Sequence, residues 1–224
     1  MTMTRQEPGT TPRQARRPVE RRSVVGRVAA MVAGIALAAA AVWAQSNAMP
    51  YEQRGSFLTT KGEIGRPVET NRYTVQVTSV TAAHMVDTRN FSSETVKVAT
   101  RYLFLLVNLR ATTRSEPMQL SKLGPPELLT ADGKRYKPTD KVDESLTFFA
   151  KQVQPGLWSA GTLVYEVPAA AIPGVRFVFI PPVAAIVVDN SAPEAEIDLG
   201  LTSADAARLI SRAEAYHPLV TKTS

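Results

Sequence analysis

The stretch Thr100-Arg-Tyr-Leu-Phe-Leu-Leu-Val-Asn-Leu-Arg-Ala-Thr112 decides the fold class. Leu103, Leu105, Val107 and Leu109 alternate onto one face of an extended chain, as the period of two in a strand requires. The other face carries Tyr102, Phe104 and Leu106 and is also apolar. A strand apolar on both faces is central, or covered on both sides. The segment therefore reads as an inner strand of a β-rich domain.

Similar patterns lie on either side. Tyr73, Val75 and Val77 alternate with Thr74, Gln76 and Thr78. Leu163, Tyr165 and Val167 do the same within 162–168, and 175–181 and 185–190 are short apolar runs. Asp132-Gly133 between Leu129 and Tyr136 is a hairpin signal, and Pro155-Gly156 is a second turn. About seven strands separated by turns predict a mainly β protein with an antiparallel β-sandwich. Glu196–Leu199 reads as a short edge strand. Thr202 or Ser203 can cap a helix over about 203–216, with Ala206, Leu209, Ile210 and Ala213 on one face.

The domain is preceded by a different kind of sequence. Residues 1–27 hold seven arginines against Glu7 and Glu20, among Pro, Thr and Gln, and read as a disordered basic tail. Residues 28–44 carry neither charge nor proline. A helix over them spans about 26 Å at about 1.5 Å per residue, close to a hydrocarbon core of about 30 Å. Arg27 and Trp43 suit its two ends. The arginine excess predicts a cytoplasmic N-terminus, a single-pass transmembrane helix at 28–44 and an extracytoplasmic C-terminal domain. In the alternative, 28–44 is the apolar region of a signal peptide. Cleavage after Ala48 then yields a secreted protein. Residues 45–61 read as a linker.

Composition excludes several functions. There is no cysteine, so there is no disulfide, thiolate metal site, cysteine nucleophile or lipoprotein acylation site. The net charge of +6 is concentrated in the tail rather than on a folded face, which argues against nucleic-acid binding. His84 and His217 are the two histidines and lack the spacing of metal ligands. Ser159 lies in no nucleophile elbow. Asp140, Asp143 and Glu144 interleave with Lys137 and Lys141, as in a solvated loop. No catalytic residue, cofactor site or metal site is predicted.

Four segments carry a family likeness: 62–80 (GEIGRPVETNRYTVQVTSV), 103–112 (LFLLVNLRAT), 128–136 (LLTADGKRY) and 154–168 (QPGLWSAGTLVYEVP). Together they resemble the telokin-like, immunoglobulin-like extracytoplasmic domain of bacterial membrane-anchored and secreted proteins. The resemblance covers about 62–190 and implies an immunoglobulin-like sandwich with no established activity. Residues 84–99 stand out from the pattern as an inserted loop, and residues 191–224 as a C-terminal extension. Loops on a sandwich commonly carry binding. The candidate partner contacts are Met85, Arg89 and Phe91 in the loop and Leu209 and Ile210 on the helix. The expected function is a membrane-anchored binding or interaction module. The alternative is an accessory subunit of an envelope transporter or secretion complex, docked through the anchor and the last helix.

Overall fold

The computed structural model describes residues 31–34, 36–38, 58–181 and 193–220. The chain divides into two units, Met1–Met49 and Pro50–Ser224. In the first, residues 31–34 and 36–38 are helical and exposed. No helix among the described residues is long and apolar enough to cross a membrane. The rest of the expected span, the basic tail, most of the linker and the expected strand at 185–190 lie outside the described residues.

The second unit is a β-sandwich. Its strands are β1 (Leu58–Glu63), β2 (Val68–Glu69), β3 (Tyr73–Arg89), β4 (Thr95–Thr113), β5 (Met118–Gln119) and β6 (Glu127–Leu129). They continue with β7 (Arg135–Tyr136), β8 (Gln152–Val153), β9 (Ser159–Val167), β10 (Arg176–Phe179) and β11 (Pro193–Asp198). One sheet has the order β1-β11-β10-β6-β7, the other β2-β3-β4-β9, and β5 pairs with β8. All pairings are antiparallel except that of β1 with β11.

β4 shows why its sequence is apolar on both faces. Leu103, Leu105, Val107 and Leu109 enter the main core between the sheets. Phe104 and Leu106 point the other way, into a second core with Ala83, Val86, Val142 and Val164. Farther along, that outer face turns polar. Asn108 there donates to Ser79 Oγ (3.0 Å) and accepts from Thr162 Oγ1 (2.6 Å).

Aromatic residues join the sheets. The rings of Tyr73 and Phe179 lie 5.0 Å apart, and those of Tyr165 and Phe177 6.5 Å apart. A buried phenol needs a partner for its hydroxyl. The Tyr165 hydroxyl donates to Pro126 O at 3.0 Å. That of Tyr73 lies 3.0 Å from Phe179 O and 2.9 Å from Pro193 O, so its one proton is shared between two carbonyls. Burial pushes both phenols well above their ordinary pKa.

The predicted turns are present. Gly133 (φ 83°) closes the β6–β7 hairpin, and Gly156 (φ 73°) follows Pro155 before β9. A Cβ would strain both positions.

The structure corrects four boundaries. The linker ends earlier than expected, because Leu58–Glu63 is β1. Its mate β11 is not an edge strand but lies between β1 and β10. The inserted loop 84–99 is the far half of a β3–β4 hairpin. Its register runs from Met85↔Ala99 to Arg89↔Thr95. Val86, Thr88, Val96 and Val98 supply the β-branched positions that favour strand. The helix spans Ser203–Ser211 rather than reaching 216. It stops because the following residues bond to β3: Glu214 N donates to Ala82 O at 2.8 Å, and His84 N to Glu214 O at 2.9 Å.

The helix itself is docked on its own domain. Ala206 is buried in the main core, and Leu209, Ile210 and Ala213 pack against it. Thr202 Oγ1 accepts from Asp205 N at 3.2 Å as the cap.

Candidate functional site

Two features of the sandwich can meet a ligand or partner. The first is the distal β3–β4 hairpin, an arm whose base departs from regular pairing. While β3 advances from Ala83 to Met85, β4 runs from Phe104 back to Ala99. A bulge of this kind bends the strands and changes their direction.

The arm is gripped on two sides. On one, Val86 and Val98 pack on the second core. Thr88 Oγ1 there accepts from Asp143 N at 2.7 Å. On the other, the segment after the helix runs along the edge of β3, and His217 N donates to Met85 O at 2.9 Å.

Asp87 fastens this segment. Its carboxylate accepts from Tyr216 Oη (2.8 Å), Val220 N (3.0 Å) and Leu219 N. Asp87 is 3% exposed. Burial alone would raise its pKa, but the hydrogen bonds from Leu219, Val220 and Tyr216 outweigh burial and hold the carboxyl below its usual value. Lys97 lies 4.4 Å from the centroid of the Tyr216 ring.

Beyond these contacts the arm ends in a turn organised by Asn90. Its Oδ1 accepts from Ser92 N (3.0 Å) and Glu94 N (2.9 Å), and its Nδ2 donates to Glu94 Oε2 (2.9 Å). Ser93 takes φ 63°. Phe91 stands at the tip with its side chain fully exposed.

Of the expected contacts, the structure brings Arg89 and Phe91 together at this free end, both exposed. Met85 sits at the base, half-buried. Leu209 and Ile210 are elsewhere, half-buried against the main core, where they hold the helix to the sandwich.

The second feature is a cavity of about 130 Å³ beside β9, bounded by the 137–147 segment. It was not visible in the sequence, because its lining joins residues near 122, 140 and 163. The charged run that reads as a solvated loop separates here into distinct roles. Asp143 caps a single 3-10 turn through Ser145 N at 2.7 Å, and the Ser145 hydrogen bonds depress its carboxyl. Lys141 pairs with Glu166 at 2.8 Å. Glu144 forms an ion pair with Lys122 and raises that ammonium's pKa. Lys137 and Asp140 also line the cavity, and Asp140 adds to the negative field that raises Lys122.

Ser159 opens β9 and donates to Gln152 O at 3.2 Å, a strand-start contact. Among the described residues no cluster of His, Asp and Glu is arranged to hold a metal ion.

Several solved structures are similar to this chain, and two of them illustrate the likeness. The yjhA protein from Bacillus subtilis is 14% identical, with 61% of this chain and 99% of that one covered and a TM-score of 0.45. A β-sandwich protein from Clostridium difficile is 10% identical, with 62% and 93% covered and a TM-score of 0.38. No curated protein matches the chain. The described cavity and the whole arm lie within residues 62–185, the region matched by the model of the domain of unknown function DUF4352, and the chain belongs to that family.

Proposed function

We propose that this protein is a membrane-anchored, extracytoplasmic interaction module of immunoglobulin-like type that meets a protein partner through the tip of its β3–β4 arm. One observation carries the reading: a hairpin held on both sides ends in an unsupported, fully exposed phenylalanine. A side chain of this size on a fixed base loses little conformational entropy on binding. Burying it in a partner supplies about 1.5–3 kcal/mol, a factor of roughly 10–100 in affinity. The location rests on the uncharged run 28–44 and the arginines before it. The immunoglobulin-like assignment is supported by two sheets meeting over one core.

The test places a photo-crosslinking amino acid at position 91 of the full chain in intact cells, with the exposed position 66 as control. The expected result is a discrete cross-linked partner from position 91 alone. Equal labelling from both positions, or none from 91, ends the proposal. Intact mass of the mature chain tests the anchor: an uncleaved N-terminus supports it, and a start at Met49 replaces it with secretion.

A further inference from the structure

We propose that the cavity beside β9 binds a zwitterionic α-amino acid carrying a branched or aromatic apolar side chain. Size sets the first limit. A volume of about 130 Å³ is close to the ~150 Å³ of an apolar cavity that accepts benzene. It falls well below the ~300 Å³ at which pockets for drug-sized ligands begin. One leucine- or phenylalanine-sized group fits, while a nucleotide or disaccharide does not.

Chemistry sets the second limit. The inner side of the cavity is bounded by Val142, Phe149, Leu163 and Val164, all buried apolar residues, with Leu163 and Val164 on opposite faces of β9. Such a wall favours a hydrocarbon group over water.

Charge sets the third. The lining holds Lys122, Lys137, Asp140 and Glu144, two cations and two anions, so the lining as a whole favours neither sign. Lys122 and Glu144 satisfy one another. Lys137 and Asp140 remain, one of each sign; Asp140 adds to the negative field on Lys122 but forms no ion pair with it. A ligand with an ammonium and a carboxylate on one carbon can meet both, the ammonium at Asp140 and the carboxylate at Lys137. Both contacts are charge-assisted hydrogen bonds, the stronger kind. A simple anion or cation satisfies one and leaves the other facing its own charge.

Pro125 and Pro138 in the wall have fixed φ, which lowers the entropy cost of closing around a ligand. Thr147 is already committed, accepting from Phe149 N and donating to Glu144 O, so the side chain of the ligand meets no competing donor there.

The experiment is a methyl-NMR titration of the full chain with L-leucine and L-phenylalanine, and with phenylacetate and phenethylamine as single-charge controls. The expected result is saturable shifts of the Val142, Leu163 and Val164 methyl signals with the amino acids, and binding of each control weaker by about tenfold, the equivalent of one ion contact of about 1.4 kcal/mol. Lys137→Ala and Asp140→Ala, both at exposed positions that leave the fold intact by circular dichroism, each weaken amino-acid binding by a similar factor. The proposal is overturned if no saturable shift occurs, if a control binds as tightly as phenylalanine, or if both alanine variants bind like the parent.

Discussion

Replacing Asp87 by alanine should free the end of the chain from the β3 edge. The carboxylate receives three hydrogen bonds, from Tyr216 Oη, Leu219 N and Val220 N. Hydrogen bonds to a charged group contribute about 1.5–3 kcal/mol each, which would sum to more than 4 kcal/mol. That sum is not reached, because the released segment can detach and let water take its N–H groups. The ceiling is what the attached segment itself supplies. It has three backbone bonds to β3 at roughly 1 kcal/mol each, plus the packing of Leu219 on the second core at about 1 kcal/mol. That ceiling is about 4 kcal/mol, and because a released segment regains some contacts with water the expected loss lies below it, at about 3 kcal/mol. For a domain of this size that corresponds to a Tm lower by about 6–12 °C. The assay is thermal and urea unfolding of a chain starting at Pro50, with hydrogen exchange at the His217 amide as the local reading. Acid supplies an independent check. The folded pKa of Asp87 is lowered, so its contribution is complete above the ordinary aspartate pKa of about 3.9 and fades as pH falls through the lowered value. The parent should lose stability in that acid window, and Asp87→Ala should lose less. A variant within about 0.5 kcal/mol of the parent, with the His217 amide still protected, would refute the reasoning.

Three further outcomes are expected. Gly161→Ala should cost about 1–3 kcal/mol in urea unfolding, because the new Cβ would lie 3.0 Å from Phe148 Cδ2 and 3.2 Å from Phe148 Cα, and the backbone atom cannot swing away. Tyr73→Phe should cost about 1–2 kcal/mol by the same assay, since two buried carbonyls lose their shared donor; an unchanged midpoint would mean that water replaces the hydroxyl. Phe91→Ser should leave Tm unchanged within about 2 °C, because the tip supports nothing in the fold.

The parts of this fold that were legible are those decided by local chemistry. The two-faced apolarity of 103–109 announced an inner strand covered on both sides, and Gly133 and Gly156 marked turns that need positive φ. The helix was legible from Thr202 and its apolar spacing, but its end was not. No residue near 211 breaks a helix; the following residues leave it because β3 offers them partners. In sequence the arm has the look of a loop, because Asp87, Arg89, Glu94 and Lys97 suit solvent, although Val86, Thr88, Val96 and Val98 alternate. Asp87 in particular is buried through partners 129 to 133 positions away, a distance no local pattern spans. β1 carries no local signal for the same reason. Thr59, Thr60 and Lys61 show no apolar alternation, and their place is set by β11. The cavity needs three separated segments, so in sequence its lysines and carboxylates form an ordinary charged run.

The parallel pairing of β1 with β11 governs how the domain bears mechanical load. The registered pairs run from Leu58↔Pro193 to Glu63↔Asp198. In a parallel pair, the start of one strand and the end of its neighbour lie at opposite ends of the seam. Tension entering at Leu58 and leaving beyond Asp198 therefore acts along the seam. It shears the interstrand bonds together instead of unzipping them singly. A tether at the N-terminus, with the load leaving beyond Asp198, would thus pull on the domain in its resistant direction.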